Sequence, residues 1–276
     1  MARVTRRQAV VRYRADERPS ARALDDVVVE EPLEIRIGGV PFQVTMRTPG
    51  ADVDLVHGLL RAEGVIDSVE DIRIVRYCDG VGPDGLNTYN VLDVELADGV
   101  PAPDPGLSRN VLTSSACGVC GSVTIDSVMD RAAAPLTVSS VAADLVARSP
   151  DLLAEVQSVH RRTGGAHAVG LVSFDGTLLA GREDIGRHNA ADKVIGWAVR
   201  EGRLPLSRTI MVVSARASYE LTQKAVLAGV EVLVAVSAPS SLAVELADRA
   251  GLTLAAFVRG GSMNVYTHPE RLEPPG

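Results

Sequence analysis

Alternating apolar and polar residues predict a β-rich region in the first part of the chain. Four segments have the two-residue period of half-buried strands: Val27–Ile37, Val40–Arg47, Ile72–Cys78 and Asn90–Leu96. Gly38-Gly39 between the first two is a hairpin signal, because glycine adopts positive φ at little cost. Over Asp52–Gly64 the apolar spacing is instead that of a helix with one buried face. We therefore predict a smaller α+β domain over residues 26–110.

The pattern changes in the second part to short apolar runs that alternate with helical segments. Helical spacing covers Asp126–Ala133 and Val138–Thr163, and we expect Pro150 to break the second segment. A hairpin of His167–Phe174 and Thr177–Gly181 is predicted across Asp175-Gly176. The alternating elements that follow are Asn189–Arg200 (helix), Thr209–Val213 (strand), Tyr219–Leu227 (helix), Val232–Val236 (strand), Leu242–Ala250 (helix) and Leu254–Val258 (strand). Such alternation favours parallel strands in a layered sheet, so residues 138–270 are predicted to form a larger α/β domain.

Composition and charge exclude several classes of protein. The 276 residues are 46% hydrophobic, which is enough for one large domain or two modest ones. No apolar run reaches the ~18 residues of a membrane span, and residues 1–25 are predicted to be a basic, partly disordered tail rather than a signal peptide. The net charge of −7 argues against general nucleic-acid binding. We expect no membrane or nucleic-acid partner and a reducing, cytoplasmic location.

Two of the three cysteines lie in the sequence Cys117-Gly-Val-Cys120-Gly121. The adjoining residues are small, so the thiols are expected to be accessible, in a loop and connector over residues 111–137. Three cysteines are too few for a disulfide framework. The residues alone leave three functions open: sulfur transfer, thiol-disulfide oxidoreduction, and a zinc site formed with Cys78 and a histidine.

Four polar clusters in the second part are candidates for anion or nucleotide binding. They are Thr163–Ala168, Gly181–Asn189 with Asp192-Lys193, Ser214–Ser218 and Phe257–Ser262. Most of them adjoin the end of a predicted strand, and open α/β sheets bind ligands at the carboxyl ends of strands. The simpler interpretations are turns, a solvated helix start and ordinary helix caps, including Asn189 as an N-cap. The residues nominated from the first three clusters are Gly164, Gly165, His167, Arg187, His188, Lys193, Ser214, Arg216 and Ser218.

Several motifs, taken in order, resemble those of the formate dehydrogenase accessory sulfurtransferase (FdhD) family over nearly the whole chain after the tail. The matching segments are Cys117–Gly121, Thr163–Ala168, Glu183–Ala190 with Asp192-Lys193, Ser237–Pro239, Gly251–Leu254 with Phe257 and Arg259, and Tyr266-Thr267. The chain has Ala215 where family forms often have glycine.

The resemblance implies a function and a fold. It implies that Cys117 carries sulfur as a persulfide taken from a cysteine desulfurase, with Cys120 as an auxiliary thiol. The sulfur acceptor would be the molybdenum (or tungsten) bis-guanine-dinucleotide cofactor of formate dehydrogenase. The resemblance assigns cofactor binding to Phe257, Val258, Arg259, Gly260, Gly261 and Ser262.

The resemblance also implies a homodimer and, for the larger domain, a cytidine deaminase-like fold. The zinc ligands and the general acid of zinc deaminases are absent from the corresponding motifs, since Ala116 precedes Cys117 and Ala168 follows His167. We therefore expect neither deamination nor a bound zinc ion.

Overall fold

The computed structural model describes residues 3–13, 15, 22–78, 80, 88–103, 109–113, 125–132 and 139–274, with only the backbone described at 109–113. The strands are β1 (Thr5–Val11), β2 (Arg22–Val28), β3 (Glu31–Ile37), β4 (Val40–Arg47), β5 (Ile72–Tyr77), β6 (Val91–Leu96), β7 (Arg109–Thr113), β8 (Val141–Ala142), β9 (His167–Ser173), β10 (Leu178–Asp184), β11 (Thr209–Val213), β12 (Val232–Ala235), β13 (Thr253–Arg259), β14 (Ser262–Thr267) and β15 (Leu272–Glu273). The helices are α1 (Asp52–Glu63), α2 (Ile125–Arg131), α3 (Ala143–Ala154), α4 (Ser158–Thr163), α5 (Arg187–Arg200), α6 (Tyr219–Leu227) and α7 (Ser241–Ala250). Among the described residues no helix is long and apolar enough to cross a membrane.

A five-stranded sheet of order β5-β6-β3-β4-β7 forms the first part of the chain. β3 and β4 are the predicted hairpin, and Gly38 and Gly39 both have positive φ in its turn. One face of this sheet packs on α1, as expected from the helical spacing of Val56, Leu59 and Leu60. The side chains of α1 and of this sheet form one hydrophobic cluster, to which Val199 of α5 also belongs.

A six-stranded sheet of order β10-β9-β11-β12-β13-β14 forms the second part. Its centre is parallel, as predicted, because β11, β12 and β13 run in one direction. The expectation of parallel strands does not extend to β9, β10 and β14, which are antiparallel to their neighbours. Side chains alternate along the strands, so one face packs on α5, α6 and α7 and the other on α3.

Helices α1 and α5 connect the two sheets and touch backbone to backbone. A Cβ atom on Gly196 would overlap the carbonyl oxygen of Asp54, and one on Gly58 would overlap that of Asp192. Ten of the twelve residues of α1 are buried, so this helix is enclosed between the five-stranded sheet and α5. The contact between α1 and α5 thereby fixes the position of the five-stranded sheet against the second part of the chain.

The predicted helix break at Pro150 is wrong, because Pro150 lies inside α3. Proline cannot donate the hydrogen bond that the carbonyl of Val146 would otherwise receive. The hydroxyl of Ser149 donates to that carbonyl instead, at 2.8 Å, and so satisfies the group that proline leaves unpaired. The chain leaves the helical conformation only after Ala154.

Several strands were not predicted from the sequence, namely β1, β7, β8, β14 and β15. The sequence predicts a partly disordered tail over residues 1–25, whereas the structure has β1 there, paired antiparallel with β2 in a separate two-stranded hairpin. β14 follows Gly260-Gly261 and pairs with β13.

Candidate functional site

The four polar clusters lie at one edge of the six-stranded sheet. The parallel strands β11 and β13 end there at Ser214–Ser218 and Phe257–Ser262, and the antiparallel β9 begins there at His167. Backbone hydrogen bonds connect neighbouring loops, since Ser214 N–H donates to Ala168 O at 3.0 Å. β10 ends beside them, with Asp184 opposite His167. Residues that are far apart in sequence are therefore adjacent at this edge.

A buried ion pair joins the end of β10 to α5 and also contacts Thr48, at the end of the five-stranded sheet. Lys193 Nζ lies 2.7 Å from Asp184 Oδ2 and donates to Thr48 O at 2.8 Å. Lys193 is 1% exposed and Asp184 is fully buried. The N–H of Thr48 also donates to Asp184 Oδ2, at 3.1 Å. The amine of Lys193 is thus held within the protein, and this geometry does not favour the predicted contact with a ligand.

Burial and polar partners act in opposite directions on Asp184. Burial raises the pKa of its carboxyl, while Lys193 and the hydrogen bonds from Gly186 N–H and Asn189 oppose this change. The sequence allows Asn189 as the N-cap of α5, but the helix begins at Arg187, and Gly186 is the N-cap. The amide of Asn189 instead donates to Met46 O at 2.7 Å, in the five-stranded sheet.

The first turn of α5 presents positive groups at the sheet edge. Gly186 offers no side chain to cap the helix, and its own N–H donates to Asp184 Oδ1 at 2.8 Å. Arg187 Nε is buried and has no hydrogen-bond partner among the described residues. Burial lowers the pKa of His167, and the charges of Arg187, His160 and His188 lower it further. This group of side chains suits an anion.

His188 is held by a carboxylate that the sequence analysis did not single out. Its Nε2 lies 2.6 Å from Oε2 of Glu220 in α6. The hydrogen bond from His188 lowers the pKa of Glu220. One turn further along α5, Lys224 Nζ lies 2.6 Å from Oδ1 of Asp192, whose carboxyl pKa is raised by burial. No sequence pattern links His188 to Glu220, which lie 32 residues apart. The position of Glu220, second in a predicted helix that follows a polar cluster, was the one feature that marked it as a candidate.

The serines and glycines of the clusters have partners within the protein. Ser218 caps α6, because its hydroxyl accepts from Leu221 N–H, and Ser214 Oγ accepts from Ala168 N–H at 2.9 Å. Gly164 is the left-handed C-cap of α4, and a Cβ on Gly165 would press on Val28 of β2. At Gly165 the space predicted for a ligand is thus taken up by Val28, whereas Gly164 ends α4 with open space beside it. Arg216, between the two serines, is exposed and points to no partner in the described residues.

The Phe257–Ser262 segment is a tight hairpin between β13 and β14. Gly260 and Gly261 have φ values of 58° and 77°, as a two-residue hairpin turn requires. Phe257 also has positive φ, 54°, and is 48% exposed, whereas Val258 is fully buried. A non-glycine residue in this conformation is strained, and both the aromatic ring at this position and Arg259, two residues later, are exposed.

Cys117 and Cys120 lie outside the described residues. Cys78 is described: it follows β5, is half-buried, and its N–H donates to Val91 O at 2.9 Å. The described part of the chain contains no group of three His, Cys, Asp or Glu residues arranged for a metal ion.

Most of the chain is similar in sequence to known proteins. The model of the FdhD/NarQ family matches residues 28–273. The sulfur carrier protein FdhD of Nocardia farcinica is 55% identical over 98% of this chain and 95% of its own length. The protein of the same name from Mycobacterium tuberculosis is 54% identical over 90% of this chain and 92% of its own. A crystal structure of a putative formate dehydrogenase accessory protein from Desulfotalea psychrophila has a TM-score of 0.76 at 24% identity, covering 98% of this chain and all of that one. That likeness supports the mixed α/β fold, while the cytidine deaminase-like assignment stays a prediction.

Proposed function

Because the chain belongs to the FdhD/NarQ family, we propose that it is a sulfur carrier required for formate dehydrogenase activity. The supporting observation is the convergence of His167, Arg187, Arg216 and the Phe257 hairpin at one edge of the six-stranded sheet. In this proposal the edge receives the acceptor of the sulfur atom, and the thiols of the connector deliver it. The protein acts as a sulfurtransferase, with formate dehydrogenase as its client.

Cys117 is the proposed sulfur-carrying residue. Its thiolate attacks the outer sulfur of a persulfide on a cysteine desulfurase, the donor's S–S bond breaks, and the donor cysteine leaves as a thiolate. Cys117 then holds the sulfur as a persulfide, with Cys120 as an auxiliary thiol. This chemistry needs reduced thiols, in agreement with the proposed cytoplasmic location.

The acceptor in this proposal is the molybdenum (or tungsten) bis-guanine-dinucleotide cofactor, which is a substrate rather than a resident group. Its phosphates suit the start of α5, where Arg187 Nε is buried without a partner among the described residues. A guanine base suits the exposed ring of Phe257 together with the guanidinium of Arg259. His188, held by Glu220, lies beside the same helix start. The homodimer implied by the family resemblance stays a prediction.

Intact-protein mass spectrometry after incubation with a cysteine desulfurase and cysteine tests the first step. We expect a gain of about 32 Da, one sulfur atom, that Cys117→Ala abolishes. Cys78→Ala is the matched control, because Cys78 lies in the five-stranded part of the chain and should leave the gain intact. Cys120→Ala should retain it at least in part.

Two other results would redirect the assignment. A wild-type protein that gains no sulfur but forms a reversible disulfide between Cys117 and Cys120 would be a thiol-disulfide oxidoreductase. Stoichiometric zinc, lost on substitution of Cys117 or Cys120, would establish a zinc site. Normal formate dehydrogenase activity in cells carrying Cys117→Ala would contradict the proposed carrier role.

A further inference from the structure

A groove lies at the opposite edge of the six-stranded sheet, where β9 ends and β11 begins. It has a volume of about 380 Å³ and lies between the β9–β10 turn and the segment that leads from α5 into β11. Small-molecule pockets have volumes of ~300–1,000 Å³, so the groove can hold a compact ligand. At ~3.3 Å per residue, the length of β9 from His167 to Ser173 separates the groove from the candidate functional site by about 20 Å.

The lining of the groove combines an apolar surface with basic side chains. Phe174 and Leu179 contribute half-buried apolar groups, and Leu206 is buried. Arg203 and Arg208 line the same groove and are exposed. An amphipathic lining of this kind matches a ligand that has an apolar body and a negatively charged end.

Both arginines are held by aromatic rings and keep their donors available. The guanidinium of Arg208 lies 5.4 Å from the ring centroid of Phe174, and that of Arg203 lies 5.3 Å from that of Trp197. Stacking on a ring orients a guanidinium without using its N–H groups. Neither guanidinium forms a hydrogen bond or an ion pair with any residue that the structure describes.

The acid that lines the groove is already engaged in its own turn. Asp175 accepts hydrogen bonds from the hydroxyl of Ser173 at 2.5 Å and from Thr177 N–H at 2.9 Å. Its carboxylate forms no ion pair with either arginine among the described residues.

The backbone at Arg208 is strained in a way that points to its side chain. Its φ is 54°, a left-handed conformation that glycine adopts freely and that other residues adopt at a cost. Two hydrogen bonds fix this conformation, since Arg208 N–H donates to Glu231 at 2.8 Å and Arg208 O accepts from Phe174 N–H at 3.0 Å. Neither bond needs an arginine side chain. A long basic residue at this strained position is explained if the guanidinium has a ligand.

We propose that the groove binds a small organic carboxylate with an aliphatic or aromatic body. Arg203 and Arg208 hold the carboxylate through charge-assisted hydrogen bonds, and the body packs on Phe174 and Leu179. This site is separate from the sulfur-carrier edge, and its occupation does not depend on the function proposed there.

Octanoate, titrated into the full-length protein at constant ionic strength, is the probe for this site. Trp197 is the only tryptophan of the chain, and Arg203 stacks on it, so its fluorescence reports on the groove. We expect a saturable change with octanoate and none with octanol, which has the same length and no charge. Isothermal titration calorimetry provides the same affinity without relying on Trp197.

Arg208→Gly is the decisive variant, because it removes the guanidinium and also relieves the backbone strain. It should fold at least as well as the wild type by circular dichroism, yet bind octanoate about ten-fold more weakly or worse. Arg249→Ala is the matched control: it removes an exposed arginine of α7 and should bind octanoate normally. The proposal is overturned if the wild type shows no saturable binding, if octanol binds equally, or if Arg208→Gly binds octanoate as well as Arg249→Ala does.

Discussion

At the scale of single residues, the two lysines of the chain stand out because every other basic side chain except histidine is an arginine. Both form ion pairs with buried aspartates: Lys193 with Asp184 at 2.7 Å, and Lys224 with Asp192 at 2.6 Å. A lysine amine is a compact charge on a slim stem, whereas a guanidinium is wider and needs more acceptors. Lysine at these two positions is therefore explained by the narrow space around a single carboxylate.

His167 provides a prediction at the same scale, namely that it stays neutral at pH values where an exposed histidine is half protonated. Burial, followed by the charge of Arg187, lowers its pKa below the ordinary value of 6.5. The unfolded chain then binds more protons than the native protein below that pH. The stability due to neutral His167 is accordingly complete above pH 6.5 and is lost as the pH falls through the lowered folded-state value.

NMR titration of the histidine ring protons measures this pKa directly. Arg187→Gln removes a neighbouring positive charge, so the pKa of His167 should rise toward 6.5 in that variant. A wild-type His167 that titrates at or above 6.5, or one that does not respond to Arg187→Gln, would contradict the geometry of the site.

At the scale of elements, the crossing of α1 and α5 depends on two glycines inside helices. Glycine in a helix interior is less favourable than alanine by about 1 kcal/mol. Gly58 and Gly196 are nevertheless the residues at which the two helices touch, because a Cβ atom at either position would overlap a carbonyl of the other helix. Close packing of the two helices therefore overrides local helix propensity.

Gly196→Ala separates these two effects. Helix propensity alone predicts a gain in stability, whereas overlap with Asp54 O predicts a loss of about 1–3 kcal/mol or more, since backbone must move to accommodate the methyl group. Urea unfolding followed by circular dichroism measures the sign. A stabilised Gly196→Ala protein would show that the helices do not meet at this point.

The sequence best predicted the elements that have a clear local pattern of their own. The bounds of β11 and α6 agree with the predicted Thr209–Val213 and Tyr219–Leu227, because a buried strand and a capped helix each have a local signature. The helix break at Pro150 failed because Ser149 supplies the missing hydrogen bond, a compensation that proline rules do not include. In the candidate site, the clustering at one sheet edge followed from strand order. The contacts of Asn189 with Met46 and of Lys193 with Thr48 could not be predicted, because Met46 and Thr48 lie about 145 residues earlier, at the end of β4 and just after it.

At the scale of the whole molecule, one polar junction joins the two sheets beside the candidate site. Thr48, just after β4, contacts Asp184 and Lys193, and its hydroxyl accepts from Ile185 N–H at 3.1 Å. The end of β4, in the five-stranded sheet, thereby supports the turn from which α5 starts. The position of Arg187 and His188 consequently depends on both sheets.

Lys193→Met tests this junction. It leaves the carboxylate of Asp184 buried without its cation, and we expect a loss of about 3–5 kcal/mol in the free energy of unfolding. The double variant with Asp184→Asn should recover part of that loss, since no buried charge then remains. Arg249→Met is the control, because its ion pair with Asp126 is exposed and should contribute at most about 1 kcal/mol. Equal losses for Lys193→Met and Arg249→Met in urea unfolding would contradict the role of this ion pair.

The enclosure of α1 by α5 has a consequence for the order in which the ribosome makes the protein. About 140 residues separate the end of α1 from the end of α5. At ~5–20 residues per second, α1 is complete roughly 7 to 30 s before the helix that covers it. During that time the Gly58 face of α1 has no native neighbour. Nascent chains stalled before α5 should therefore bind chaperones that recognise exposed hydrophobic segments. Chains long enough to include α5 should not bind them.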